Sequence, residues 1–103
     1  MSSFLFMREG FAFKNFTTAG TTKLVDARKA FLKAVLVNSI FVGTIKVYDS
    51  SAGTPVGTTA TDRIVSTIGT PSIAPQVLPY NARMINGLTI VTSGTPEVTV
   101  VYE

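Results

Sequence analysis

The chain has 103 residues, enough for one domain, and it contains no Cys and no His. These absences exclude disulfides, thiolate chemistry, the common zinc sites and the Cys–His and Ser–His–Asp arrangements of nucleophilic catalysis. Only 15% of the residues are charged, against a usual ~25%, and the formal net charge of +3 comes from cations spread along the chain, which is typical of a solvated surface rather than of a nucleic-acid site.

Residues 1–13 are predicted to be a segment distinct from the domain that residues 14–103 form. Residues 4–7 are Phe-Leu-Phe-Met, and two interpretations fit them. As a first strand they would turn half of their side chains to the core, whereas as a capsid-binding arm they would expose all four and need a partner surface. The candidate partner-binding residues of such an arm are Phe4, Leu5, Phe6, Met7 and Arg8.

Residues 11–16 follow Gly10 and predict a strand, because Phe11 and Phe13 share one face at period 2. We expect both rings to pack in the core. A platform for single-stranded nucleic acid needs several exposed aromatic rings among several cations, and this stretch carries only Lys14. Residues 19–20 are predicted to turn, and residues 23–25 to form another short strand.

Residues 26–37 fit two kinds of secondary structure. A helix capped by Asp26 would align a set of apolar residues on one face, namely Ala27, Ala30, Phe31, Ala34 and Val35. A strand over residues 30–37 suits the β-rich run Val35-Leu-Val37 and the apolar residues that follow it. The strand is the favoured interpretation, and the helix is its alternative.

The middle of the chain alternates strands with turns. Residues 44–48 alternate cleanly, and residues 49–53 have turn chemistry that Asp49 is predicted to open. Residues 54–61 are predicted to be a loop with one short extended piece, and residues 63–68 a strand. Residues 69–79 contain three Pro, so they must be irregular or lie at a sheet edge.

The C-terminal third predicts three strands, at residues 80–85, 88–92 and 98–102. Asn86-Gly87 is predicted to be a tight turn, and residues 93–96 are predicted to join the last two strands into a hairpin tied into a sheet. The expected core residues of this hairpin are Leu88, Ile90, Val98 and Val100. About seven to nine short strands at this spacing predict an all-β, single-domain antiparallel β-sandwich, jelly-roll or Ig-like, or a small barrel.

No motif in the chain indicates catalysis. The six acidic residues do not have the spacing of a calcium loop, and residues 53–57 lack the Lys-Ser/Thr ending of a phosphate loop. Asp49 is more simply explained as a turn residue than as an ion ligand. We therefore expect no enzyme, no catalytic, cofactor-binding or metal-binding residue, no cofactor and no small-molecule substrate.

Three pieces of the chain together resemble a known group of proteins. They are residues 33–38 (KAVLVN), residues 43–54 (GTIKVYDSSAGT) and residues 86–102 (NGLTIVTSGTPEVTVVY). Their order resembles the small β-sandwich structural proteins of tailed bacteriophages, of the head decoration, cement or fibre type, and residues 14–18 look like the first strand of that family. Residues 1–13 and 69–79 depart from the pattern.

The resemblance implies a capsid decoration (cement) protein, an oligomer and often a trimer, that binds the major capsid protein on the outside of the head and bridges its subunits. The alternative is a tail, baseplate or fibre module that recognises a host surface through Tyr48, Tyr80 and residues 53–61. No basic residue precedes the short N-terminal apolar run, and no run approaches the ~20 residues of a membrane span. We therefore expect synthesis in the host cytoplasm, a place on the virion, and neither a nucleic-acid nor a membrane partner.

Deletion of residues 1–9 tests the two interpretations of the N-terminal segment. If the segment is an arm, the deletion is expected to weaken attachment to capsids while the unfolding midpoint in urea stays unchanged. Loss of folding would instead assign Phe4 and Phe6 to the core. Sedimentation with capsids and circular dichroism measure the two properties separately.

Overall fold

The computed structural model describes residues 11–103, and all of its regular structure is β. Its strands are β1 (Ala12–Phe16), β2 (Gly20–Asp26), β3 (Ala30–Val37), β4 (Ile45–Ser50), β5 (Thr58–Thr59), β6 (Asp62–Ile68), β7 (Gln76–Met84), β8 (Gly87–Thr92) and β9 (Val98–Tyr102). The favoured strand at residues 30–37 and the last strand are confirmed residue for residue, and the alternative helix at residues 26–37 is wrong. β1 begins at Ala12, so the last two residues of the predicted N-terminal segment belong to the sheet.

The strands form two antiparallel sheets that pack as a sandwich. The four-stranded sheet has the order β1-β9-β3-β7, and the five-stranded sheet has the order β2-β8-β4-β6-β5. Every connection crosses between the sheets except the one from β4 through β5 to β6. With the two-residue β5 set aside, this nested order of eight strands is that of a jelly roll, which decides between the jelly-roll and Ig-like alternatives.

The C-terminal run is not a hairpin, and this corrects the sequence-based prediction. β8 belongs to the five-stranded sheet and β9 to the four-stranded sheet, so residues 93–97 arch over the core instead of joining neighbours. The turn at Asn86-Gly87 likewise carries the chain from β7 to the other sheet. A turn signature identifies a change of direction, but it does not say whether the next strand pairs in the same sheet.

The core lies between the inner faces of the two sheets. Leu88, Ile90, Val98 and Val100 are fully buried in it, as predicted. The remaining buried cluster consists of Phe16, Val25, Ala30, Leu32, Val35, Val37, Phe41, Ile45, Val47 and Met84. Full burial of one Val, Leu or Ile contributes roughly 1.5–3 kcal/mol, so this layer is the main source of stability.

The two sides of the sandwich differ at their sheet edges. On one side the edge strand β7 contains Pro79, which has no N–H to donate, and Asn81 at a positive φ of 48°. The neighbouring edge strand β5 has only two residues. On the other side, β1 and β2 are longer edge strands without Pro. Pro79 thus agrees with the prediction that residues 69–79 are irregular or lie at an edge.

Two glycines hold the β3–β4 loop against the β8–β9 arch. A Cβ on Gly94, which has a φ of 75°, would lie 1.9 Å from the carbonyl oxygen of Val42, and a Cβ on Gly43 would lie 2.0 Å from that of Ser93. The backbones are close because Thr95 N donates to Val42 O at 3.1 Å and Ser93 N donates to Thr44 O at 2.9 Å. Only glycine permits this approach.

We expect Gly94→Ala to destabilise the protein by roughly 1–3 kcal/mol, because the new methyl group must displace backbone atoms at a positive φ. Urea unfolding measures the change. Gly53→Ala is the matched control, since a Cβ there meets nothing within 4 Å, and it should change stability by less than about 0.5 kcal/mol. Equal stability of the two variants would contradict the close backbone approach.

Candidate interaction surface

The outer side of the four-stranded sheet carries an apolar surface, whose residues are brought together by the pairing of the strands. Phe13 on β1 is paired with Val101 on β9, and Leu36 on β3 is paired with Val77 on β7. Val35 and Val100, which precede Leu36 and Val101, are buried in the core, so Leu36, Val101 and their cross-strand partners point outward. We call this surface the outer apolar face and define it as Phe11, Phe13, Phe31, Leu36, Val77, Pro79 and Val101.

The outer apolar face is strongly exposed. Phe13 is 74% exposed, Val77 61% and Phe11 52%. The prediction that Phe11 and Phe13 pack in the core is therefore wrong, although the two do lie on β1 or directly before it with the predicted alternation. A period of two identifies residues that share a face, but it does not say which face is the inner one. In β1, it is Phe16 that enters the core.

One end of this face carries amide and hydroxyl side chains and lies beside the exposed Glu97, whose carbonyl oxygen accepts the N–H of Asn38 at 2.8 Å. The side-chain amides of Asn15 and Asn38 both donate to Thr99 Oγ1, at 2.9 Å and 3.0 Å. These bonds tie β1, β9 and the end of β3 together across the outer side of the sheet. They hold three polar side chains in fixed positions beside Leu36 and Val77.

The opposite end of the face is basic. A shallow groove of about 300 Å³ lies there, lined by Arg28, Lys29, Ala30, Phe31, Arg83 and Glu103. We call it the basic groove. The ammonium group of Lys33 lies nearby, 5.8 Å from the centre of the Phe11 ring, which in turn is 6.3 Å from the Phe31 ring. The basic groove therefore continues directly into the aromatic part of the outer apolar face.

Sequence reasoning missed this combination. Arg83 is fifty or more residues away from Arg28, Lys29 and Lys33 in the chain, so the sequence does not show that these cations lie close together. The pairing of Phe31 with Arg83 across β3 and β7 brings them together. The proposed partner-binding residues Phe4, Leu5, Phe6, Met7 and Arg8 lie outside the described residues.

Of the two tyrosines of the alternative host-recognition hypothesis, Tyr48 is buried and Tyr80 is half-buried. Tyr48 is only 5% exposed, and the Tyr80 hydroxyl lies 2.7 Å from Ser66 Oγ. Stacking of a sugar on an aromatic ring requires an accessible ring face, and Tyr48 does not offer one. The described residues therefore place accessible aromatic rings on the outer apolar face instead.

The two buried acidic residues, Asp49 and Asp62, accept hydrogen bonds from backbone N–H groups. Asp49 lies in β4, not in a turn, and its Oδ1 accepts the N–H groups of Ile85 at 3.0 Å and Asn86 at 2.7 Å. It thus fixes the β7–β8 corner. Within residues 11–103 no group of three potential metal ligands occurs, and no helix long and apolar enough to cross a membrane is found.

Asp62 holds the β4–β6 connection in a similar way. Its Oδ2 accepts the backbone N–H of Val56 at 2.5 Å and that of Gly57 at 3.3 Å, while Oδ1 is buried without a hydrogen-bond partner in the described part of the chain. Burial alone would raise the pKa of this carboxyl group. The Val56 N–H, the nearby Ser50 hydroxyl and the Gly57 N–H outweigh burial and hold the pKa below its ordinary value of 3.8.

Because the pKa of Asp62 is lower in the folded chain than in the unfolded chain, its carboxylate contributes stability above pH 3.8, and this contribution is lost as the pH falls through the folded pKa. We expect Asp62→Asn to lower the urea midpoint at pH 7, and the difference from wild type to shrink below pH 3.8. Asp26→Asn, at an exposed site paired only with Lys23 at 3.7 Å, is the control with little effect. A difference that stays constant across this pH range would contradict the assignment.

Comparisons with known proteins find no match: no family model, no curated protein and no solved structure is significantly similar to this chain. Its function therefore has to be argued from its own residues. The features available for that argument are the jelly-roll sandwich, the outer apolar face and the basic groove.

Proposed function

We propose that this chain is a bacteriophage capsid decoration (cement) protein, which binds the outside of the head shell and stabilises it by bridging capsid subunits. The observation that carries the proposal is the outer apolar face. Large apolar side chains clustered on one side of a sheet are uncommon on a monomer, and such patches usually mark a protein–protein interface. The fold alone would not support this, because jelly rolls occur in viral capsid proteins, lectins and cupins alike.

The geometry suits attachment to a large, flat surface. The residues of the face lie on all four strands of one sheet, or directly before β1, so the surface is held by backbone hydrogen bonds rather than by mobile loops. A rigid surface loses little conformational entropy on binding. A stable interface buries about 800 Å² on each partner, so the outer apolar face would form its apolar centre and the polar side chains around it would form its rim.

Cementing requires contacts with more than one capsid subunit. We propose that the outer apolar face binds the major capsid protein and that a trimer of this chain fits the three-fold positions of an icosahedral shell. The predicted arm, with Phe4 and Phe6, would reach a second subunit. A bridge of this kind opposes the outward pressure of packaged DNA because separating the subunits would expose the buried apolar surface again.

The alternative, a tail, baseplate or fibre module that recognises a host surface, has weaker support. Its candidate aromatic residues were Tyr48 and Tyr80, and Tyr48 is buried in the described structure. Immunogold labelling of virions distinguishes the two functions, because labelling of tails alone would remove the capsid proposal.

Binding to heads prepared without this chain tests the proposal directly. Phe13→Ser and Val77→Ser should each weaken binding by roughly tenfold or more, because each removes an exposed anchor from the face. Val65→Ser on β6 of the five-stranded sheet, where Val65 is 39% exposed, is the matched control and should bind like wild type. Co-sedimentation at several protein concentrations gives the affinities.

The melting temperature of the heads provides the second readout. Wild-type protein and Val65→Ser should raise it, and the two variants of the outer apolar face should not. Failure of the wild-type protein to bind the heads or to raise their melting temperature would refute the decoration function. Equal binding by Phe13→Ser and Val65→Ser would mean that another surface makes the contact.

A further inference from the structure

We infer that the partner segment seated on the outer apolar face is acidic at one end, and that its carboxylates enter the basic groove. This inference deepens the proposed function, on which it rests, by stating the chemistry of the capsid segment that is bound. The segment is apolar along most of its length and ends in two or three Asp or Glu residues. It lies on the sheet in one direction only.

The distribution of charge carries the inference. Arg28, Lys29 and Arg83 line the basic groove, and Lys33 lies next to it over the Phe11 ring. All four are exposed, and within residues 11–103 none of them forms an ion pair. Glu103 is the one acidic side chain among the described residues that line the groove, against the three cations Arg28, Lys29 and Arg83.

The other end of the face has the opposite character. Asn15, Asn38 and Thr99 form a hydrogen-bonded polar group without charge. A segment that runs along the face therefore meets cations at one end, and amides beside the exposed Glu97 at the other. Carboxylates are favourable at the first end and gain nothing at the second, which fixes the direction of binding.

Among residues 11–103, a second copy of this chain offers few of those carboxylates. Residues 11–103 contain five acidic residues. Asp49 and Asp62 are buried on backbone N–H groups, and Asp26 is paired with Lys23. Glu103 already lies in the basic groove, which leaves Glu97 alone to face the cations of a partner copy. A partner with a different sequence is a better match.

Single-stranded nucleic acid is also a poorer match, although aromatic rings and cations occur together here. A nucleic-acid platform needs cations along the whole backbone path, and here they are confined to one end. The Phe11 and Phe31 rings are tilted by 54° to one another, and the Lys33 ammonium group lies over the Phe11 ring. Neither arrangement offers a series of free, parallel ring faces for bases.

Two synthetic peptides test the inference with the full chain and without capsids. Both share one stretch of Leu and Val, and they differ only at one end, where the first carries three Glu and the second three Gln. We expect the Glu peptide to bind about tenfold more tightly at low salt, and this ratio to fall towards one as salt is raised. Isothermal titration or fluorescence anisotropy measures the affinities.

A triple variant locates the effect. Arg28→Gln/Lys29→Gln/Arg83→Gln should bind both peptides equally. The matched control is Lys23→Gln/Lys46→Gln/Arg63→Gln, which removes three cations from β2, β4 and β6 of the five-stranded sheet. This control should still bind the Glu peptide more tightly than the Gln peptide. The groove variant alters three exposed side chains, whereas the control alters the exposed Lys23 and Arg63 and the half-buried Lys46, so circular dichroism must verify both folds.

Several outcomes would overturn the inference. They are failure of both peptides to bind, equal binding of the two peptides by wild type, or a preference for Glu that survives in the groove variant. Tighter binding of a labelled oligothymidine probe than of the Glu peptide would favour nucleic acid, and dimerisation abolished by Phe13→Ser would favour a second copy. The peptide experiment uses no capsids, so it is independent of the head-binding experiment. The peptides can fail to bind as expected while the protein still binds heads, and the protein can fail to bind heads while the peptides bind as expected.

Discussion

The burial of one sheet against the other is the interaction on which the rest of the structure depends. Leu88 and Ile90 come from one sheet and Val98 and Val100 from the other, and all four are fully buried. Because nearly every connection crosses between the sheets, the core cannot form one hairpin at a time. Apart from β5, which pairs with β6, most strands are held by neighbours that are distant in sequence, such as β1 by β9 and β2 by β8.

In this topology the chain crosses from one sheet to the other at both ends of the sandwich, and the crossing segments need contacts that hold them in place. The two ends provide these contacts in different ways. At one end the Gly43 and Gly94 backbones lie in direct contact, and hydrogen bonds join the loop and the arch. At the other end the buried carboxylates of Asp49 and Asp62 accept backbone N–H groups that the corners leave unpaired. The sheet surfaces between these ends are then free to serve another purpose.

Much of the fold could be predicted from the sequence, because local rules determine it. Alternation and β-branched residues identified the strand at residues 30–37, the last strand and the four core residues of the C-terminal run. Sheet membership could not be predicted in this way. The signature Asn86-Gly87 is the same whether the next strand pairs with the previous one or crosses the core, and only packing of the whole chain decides this.

The candidate surface was harder to predict for a related reason. Phe11 and Phe13 have a pattern that fits either the inner or the outer face, and large aromatic residues are most often buried. Arg83 joins Arg28 and Lys29 only through the β3–β7 pairing. The clue that was available is the Pro-rich stretch before residue 80, since a strand that contains Pro79 must lie at an edge of its sheet.

The unequal edges of the sandwich limit how copies of this protein can associate through their backbones. β7 and the short β5 close one side, while β1 and β2 leave the other side open to a neighbouring strand. A subunit with two open sides could add neighbours without end and grow into a filament, but a subunit with one open side is used up by a single partner. Within residues 11–103, backbone pairing between copies is therefore favoured on the β1–β2 side of the sandwich and disfavoured on the β7–β5 side.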